Sequence, residues 1–320
     1  MALVRVKSLT RLFDVSKPLL NRILERRGKA YLTAVSDVDF EVKERSTYAL
    51  VGESGSGKST IGRMLVGLLT PTEGTVEIEG VDLANETDAA KVDAIRSDIQ
   101  MIFQDPFASL NPRWRVRDII AEPVAARGGD TAGLAERLLE QVGLSVLDAG
   151  KFPHEFSGGQ RQRICIARAL ASEPRLIVCD EPTSALDVSV QAQVLNLMSD
   201  LKDDFGLTYV LISHDLTVVR HMADRIGVLY LGRLVEEADP QSLFEDPKHP
   251  YTQMLLEAAP RMDGFGREIQ PPEGEIPDPI NPPPGCAFHP RCPIAQDVCT
   301  RERPRMRELG AARVACHLAE

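Results

Sequence analysis

Nine consecutive residues constrain this chain more than any others: Gly52-Glu53-Ser54-Gly55-Ser56-Gly57-Lys58-Ser59-Thr60. They satisfy the pattern G-x-x-x-x-G-K-[ST], and each specified position in that pattern has a chemical reason. Glycines let the backbone curl until successive N–H groups point at one anion. A helix opening behind the loop adds the positive end of its dipole. Lys58 supplies a mobile charge for the outer phosphates, and the Ser59 hydroxyl can coordinate Mg²⁺. A chance glycine turn would fit the pattern about once in a hundred chains of this length. The flanks also agree, because the apolar run 48–52 leads in and a helical pattern from Ser59 to about Leu69 leads out. The expectation is an α/β fold that binds a nucleoside triphosphate.

The rest of the chain supports that class. Apolar runs at 99–103, 176–180 and 209–213 read as strands buried on both faces of a parallel sheet. Residues 75–80 alternate like an antiparallel strand, residues 131–144 and 160–171 have helical spacing, and residues 1–43 read as short strands around a basic stretch, 21–29, of solvated character. Strands alternating with helices indicate an α/β core. With 320 residues the chain is expected to hold one large domain and an appendage, divided near residue 250 where proline becomes dense, as in 271–284. No internal repeat is evident. A net charge of −10 argues against nucleic acid as the main partner. The sequence has no apolar run of membrane-spanning length and no secretion signal at its start, so a cytosolic location is expected. Cysteines there are not expected to pair as disulfides.

A second acidic site completes the first. Leu176-Ile177-Val178-Cys179-Asp180-Glu181-Pro182 is a buried strand ending in two carboxylates. Ligands of open α/β sheets lie beyond the carboxyl ends of the strands. Asp180 is thereby placed to hold Mg²⁺ through water. Glu181 is placed to orient or deprotonate an attacking water.

From these residues onward the chain, over 1 to about 250, resembles the ATP-binding-cassette family, because five further motifs follow in the family's order. Ser157-Gly158-Gly159-Gln160 is similar to the family signature, with Phe156 where leucine is commoner. Gln104 matches the glutamine that senses Mg²⁺ and water, Ser184-Ala185-Leu186-Asp187 the loop that crosses the dimer interface, and His214 the histidine that contacts the γ-phosphate. Tyr31 lies where the family places a ring under the adenine. Arg45 departs from the family's usual glycine in a turn. The resemblance implies an ABC-type P-loop ATPase core with an antiparallel β subdomain and a helical subdomain. It also implies that Gly52, Ser54, Gly55, Ser56, Gly57, Lys58, Ser59 and Thr60 bind ATP. Ser157, Gly158, Gly159, Gln160 and Asp187 would then close on the ATP held by a partner ATPase. The helix behind Ser157 independently reads as a second anion site, which one nucleotide in one chain does not need.

The stretches 104–113, 154–170, 249–260 and 282–293 resemble the dipeptide and oligopeptide importer branch, with nickel importers close by. That resemblance implies a paired, paralogous or identical ATPase, two permeases touching the region 104–117, and an external binding protein. The chain would then work at the cytoplasmic face of the membrane. Other classes would want other features. A DNA-repair or ribosomal ABC ATPase would want a second cassette or a long heptad insertion, a GTPase would want Asn-Lys-x-Asp, and an exporter would work without a binding protein.

Four cysteines, Cys286, Cys292, Cys299 and Cys316, remain in the residues after 250. Four thiolates can hold an iron–sulfur cluster or tetrahedral zinc. The spacing lacks the short C-x₂₋₄-C knuckles of zinc sites and suits a bulkier cluster. His289 and His317 keep zinc open, and bare thiols are the third reading. Members of the resembling branch carry a similar tail, associated in some with a [4Fe–4S] cluster. Such a cluster is expected to be a staple, far along the chain from the nucleotide and unnecessary for hydrolysis.

Overall fold

The strands Thr47–Val51, Leu176–Asp180 and Thr208–Ile212 are buried at every position, and this one fact organises the molecule. A computed structural model describes residues 2–17, 28–258 and 274–320 of the chain. In chain order the strands are β1 (Ala2–Asp14), β2 (Tyr31–Lys43), β3 (Thr47–Val51), β4 (Glu73–Ile78), β5 (Val81–Asp82) and β6 (Ile99–Ile102). They continue as β7 (Leu176–Asp180), β8 (Thr208–Ile212), β9 (Arg225–Tyr230), β10 (Arg233–Ala238), β11 (Arg307–Leu309) and β12 (Ala312–Val314). One sheet runs β2-β1-β4-β5; the other runs β11-β12-β10-β9-β3-β8-β7-β6. Strands β9, β3, β8, β7 and β6 pair in parallel, whereas the four-stranded sheet is antiparallel.

Side chains alternate across a strand, so each central strand feeds two cores. Leu50, Val178, Val210 and Ile212 join Val4, Val6, Val38 and Phe40 of the antiparallel sheet, with Ile61, Met64 and Leu65 between the layers. Ala49, Ile177, Cys179, Tyr209 and Leu211 face the other way, onto Ile119, Ile120, Leu138, Leu139, Ile164 and Cys165 of a helical layer. That layer includes the helices Val116–Ala125, Leu134–Gln141 and Gly158–Leu170. Continuous apolar runs are therefore what a sheet covered on both faces demands.

Two expectations shift. The first forty residues form two strands of thirteen residues each rather than short ones. Their alternation is broken by bulges between Val6 and Leu9 and between Leu9 and Arg11, with Ser8 at φ 45°, which makes each long strand look like fragments in sequence. The helix within 131–144 is confined to Leu134–Gln141, between Gly133 in the left-handed region and Val142. Residues 21–27 of the basic stretch lie outside the described residues.

The C-terminal segment is more integrated than its proline content suggests. Strands β11 and β12 form a hairpin whose β12 pairs with β10, at Glu236↔Val314 and Glu237↔Arg313. They cover an edge that β10 would otherwise leave open. Ala287, Phe288, Ala312 and Val314 belong to the same core as Tyr209 and Ile164. Among the described residues, no helix is long and apolar enough to cross a membrane.

Candidate functional site

Strand β3 ends at Val51, and the chain turns through the phosphate loop into the helix Lys58–Leu65. Gly52 sits at φ 147°, and a Cβ there would lie 2.2 Å from the Leu229 carbonyl oxygen. Gly57 sits at φ 102°, with a Cβ position 2.3 Å from the Ala34 carbonyl oxygen. Both positions exclude every side chain, which explains why the loop can nest against β9 and β2. Ser54 and Gly55 are exposed at the rim, Ser56 is buried, and Thr60 lies half-buried in the first helical turn. Tyr31 begins β2, exposed, three residues before the Ala34 that touches Gly57.

Lys58 is buried inside the loop, where its Nζ donates to the Gly52 carbonyl at 2.7 Å and the Glu53 carbonyl at 2.9 Å. Burial pulls its pKa down, opposed by the charges of Glu181, Asp180 and Glu53. The Ser59 hydroxyl donates to Asp180 Oδ1 at 2.8 Å. Asp180, at the buried end of β7, has its pKa raised by burial, with the Ser59 bond opposing. Glu181 lies between two partners: Gln104 Nε2 donates to Oε2 at 2.7 Å, and His214 Nδ1 stands 3.0 Å from Oε1. Its backbone is in the left-handed region, φ 48°, a conformation that costs about 1–3 kcal/mol in a non-glycine residue. The carboxylate lies between groups that follow β6 and β8.

Six residues from the ends of four strands thus meet in one group: Lys58, Ser59, Gln104, Asp180, Glu181 and His214. The signature stands apart. Ser157 Oγ accepts from the Gln160 amide at 3.3 Å while Gln160 Oε1 accepts from the Ser157 amide at 3.0 Å, a capping box that opens the helix Gly158–Leu170. Among the described residues no hydrogen bond joins Ser157 or Gln160 to the phosphate loop. A Cβ on Gly158 would lie 3.5 Å from Leu186, and one on Gly159 2.3 Å from Val190, so the signature packs beside the Asp187 loop. Asp187 precedes the helix Val188–Phe205, exposed, with no capping bond from its side chain. Phe107 and Trp114 are exposed within 104–117, the Phe107 ring lying under the Arg161 guanidinium at 3.6 Å.

The C-terminal segment touches this site, which sequence distance conceals. Arg291 donates to both carboxylate oxygens of Glu53, at 2.8 and 3.0 Å. The Tyr251 hydroxyl accepts from the Glu53 amide at 2.9 Å. Cys286, Cys292, Cys299 and Cys316 converge on a single small cavity with His249, His289 and His317. Burial raises the thiol pKa of Cys286 and Cys292. His289 Nδ1 pairs with the Cys286 carbonyl and His317 Nε2 with the Glu302 carbonyl. His249 Nε2 is buried with no hydrogen-bond partner among the described residues. No group of three or more His, Cys, Asp or Glu among the described residues is arranged to hold a metal ion. The sequence reading missed Glu53, His249, Tyr251 and Arg291 as site residues. Their only signal was membership of the phosphate loop and of the stretches 249–260 and 282–293.

The geometry defines a P-loop nucleotide hydrolase, and comparison with known proteins places it within that class. Residues 35–184 match the ABC transporter family, and residues 235–299 match the oligopeptide/dipeptide transporter C-terminal region. The oligopeptide transport ATP-binding protein AppF of Bacillus subtilis (strain 168) is 48% identical over 322 residues, covering 98% of each chain. The di/tripeptide transport ATP-binding protein DppF of Pseudomonas aeruginosa (strain UCBPP-PA14) is 45% identical, covering 98% of this chain and 97% of its own. The dimeric post-hydrolysis structure of the cassette MJ0796, bound to ADP and Pi, has a TM-score of 0.63 at 31% identity, covering 74% of this chain and 98% of that one. The cbiO1 structure from Clostridium perfringens, at 22% identity and TM-score 0.64 over 77% of this chain and 91% of that one, shares the fold. The chain belongs to the ABC transporter family, among its ATP-binding subunits, and is an ATPase that uses Mg·ATP.

Proposed function

We propose that this chain is one ATP-hydrolysing half of a peptide importer, with residues 1–250 as the ATPase and 251–320 as an importer-type extension. The observation that carries the chemistry is Glu181, held between Gln104 and His214 beside the Lys58–Ser59–Asp180 group. In this reading the loop 52–60 cradles the phosphates through backbone N–H groups and Lys58. Ser59, Asp180 and Gln104 hold Mg²⁺, and Tyr31 stacks on the adenine. Glu181 orients the attacking water, while His214 contacts the γ-phosphate.

The signature, Ser157 to Gln160, with Ser157 and Gln160 exposed, and Asp187 face a second ATPase. A helix N-terminus carrying only its own capping box is suited to the phosphates of a partner's nucleotide. The partner is a paralogue or a second copy. Phe107 and Trp114 present the apolar surface on which a permease loop would sit, and ATP-driven closure moves that surface. Two permeases and an external binding protein complete the assembly, at the cytoplasmic face of the membrane. The named relatives support di- or oligopeptides as cargo, with nickel or oligosaccharides as the alternatives.

For the four cysteines we infer a [4Fe–4S] cluster as the guest, with zinc as the alternative. Support comes from the four thiols lining one cavity. When bound, a cluster would supply a covalent staple between the loop 286–292 and the edge of the main sheet. Protein purified anaerobically should be brown; colourless protein with stoichiometric zinc would select zinc instead, and no metal would leave free thiols.

The test of the whole reading is reconstitution in vesicles with the permeases and binding protein. ATP should drive peptide uptake, and Glu181→Gln should stop it. Uptake of a metal or sugar but not of peptides would move the cargo assignment. Hydrolysis without any permease dependence would favour a non-transport role.

A further inference from the structure

A carboxylate in a phosphate loop is an electrostatic problem. Glu53 is the second residue of the loop, and its charge repels the polyanion that the loop exists to bind. The chain answers this from far away in sequence. Arg291 lies in the short turn His289–Arg291, directly before Cys292, and forms a two-pronged pair with Glu53. Its side chain is 3% exposed and that of Glu53 20% exposed, so solvent screens the pair little. The guanidinium also lies near the rings of Tyr230, at 5.8 Å, and Phe288, at 6.0 Å. Its turn is fixed by the His289 amide donating to the Cys286 carbonyl and the Cys286 amide donating to the Cys299 carbonyl. Tyr251, itself fully buried, receives the amide of the same Glu53. Two groups of the C-terminal extension thereby grip one loop residue, one at its backbone and one at its charge.

We propose that Arg291 is a positioning residue for ATP binding: from the cysteine-lined extension it neutralises Glu53 and fixes the outer rim of the phosphate loop. The extension is then part of the nucleotide site of its own chain, besides any contact it makes with permeases or a partner ATPase. Removing Arg291 strips the largely buried Glu53 carboxylate of its two-pronged partner and leaves it to compete with the phosphates for the Lys58 charge. Removing both charges leaves none. Truncating one member of a buried charged pair does more harm than replacing both.

This inference rests on the reading of the loop 52–60 as the ATP cradle, and the experiment separates the two. Binding of a fluorescent ATP analogue with Mg²⁺ is measured on the full-length chain for wild type, Arg291→Met, Glu53→Gln, the double variant and Lys58→Ala. Arg291→Met should raise Kd about tenfold, and adding Glu53→Gln should bring it back to within about threefold of wild type. A purely structural role for Arg291 would show no such rescue. In the assembled transporter, KM for ATP should rise in Arg291→Met with kcat within about twofold of wild type. An Arg291→Met Kd within twofold of wild type, or a double variant as weak as the single, overturns the proposal. Should Arg291→Met fail to fold, Glu53→Gln alone decides: it should bind at least as tightly as wild type, and a Kd more than threefold higher overturns the proposal. If Lys58→Ala also binds normally, it is the cradle itself that has been misread.

Discussion

The phosphate loop and the cysteine-lined extension do their work by opposite routes. In the loop, neighbours in sequence are neighbours in space: Lys58 closes back on the carbonyls of Gly52 and Glu53, and the helix behind it begins at once. Little beyond the nine residues is needed to build an anion site, which is why a short pattern announces it. In the extension, Cys286 and Cys316 are thirty positions apart in sequence yet line one cavity, together with the buried His249 and with Phe288 of the shared core. There the local residues say what chemistry is available and nothing about where it will stand. Among the described residues the two regions meet at Glu53, through Arg291 and Tyr251. The comparison teaches that a site written locally can still be gripped by residues 198 and 238 positions away.

The contrast can be broken most directly at the chemistry. Glu181→Gln removes the carboxylate that Gln104 and His214 hold and leaves the cradle intact. Turnover of the assembled transporter should fall roughly 10²–10³-fold, with Mg·ATP affinity preserved in an equilibrium binding assay. A Glu181→Gln enzyme hydrolysing at wild-type rate would mean that another group activates the water.

Next in size is Lys58→Ala, which empties the centre of the loop. It should weaken ATP binding roughly a hundredfold, read by titration with the same nucleotide analogue. Glu181→Gln and Lys58→Ala together divide the site into a cradle and a catalytic edge; equal binding defects in both would erase that division.

Cys292→Ser addresses the second region. Anaerobically purified protein should lose the broad absorbance near 400 nm expected of a cluster and melt several degrees lower. Because the thiol stands beside Arg291 without touching the nucleotide loop, Kd for ATP should shift by less than in Arg291→Met. A larger shift than in Arg291→Met would show that the cavity, and not the charge pair, supports the loop.

The smallest effect is at a turn belonging to neither region. Arg45 has φ 55°, between β2 and β3, where the family commonly has glycine. Its amide donates to Thr208 Oγ1 at 2.9 Å, a bond that glycine keeps. Arg45→Gly should therefore stabilise the fold by about 0.5–1 kcal/mol, measured by denaturant unfolding, with no change in ATP binding. A loss of stability would show that the Arg45 side chain, packed over Gly206, matters more than its backbone strain.

The sequence by itself determined the α/β class, the phosphate loop, the Asp180–Glu181 pair and the order of the remaining motifs. It could do so because buried parallel strands leave unbroken apolar runs, and because loops at strand ends carry their chemistry in contiguous residues. The helix of the signature was legible for the same reason: Ser157 and Gln160 cap it from within four residues. The long strands β1 and β2 were not, because bulges interrupt the alternation that marks a strand. Only the tertiary structure decided that β12 extends the main sheet, that His249 joins the cavity of the four cysteines, and that Arg291 reaches Glu53. Those are long-range pairings, set by which surfaces the core leaves open, and no periodicity or spacing along the chain encodes which partner a buried charge will find.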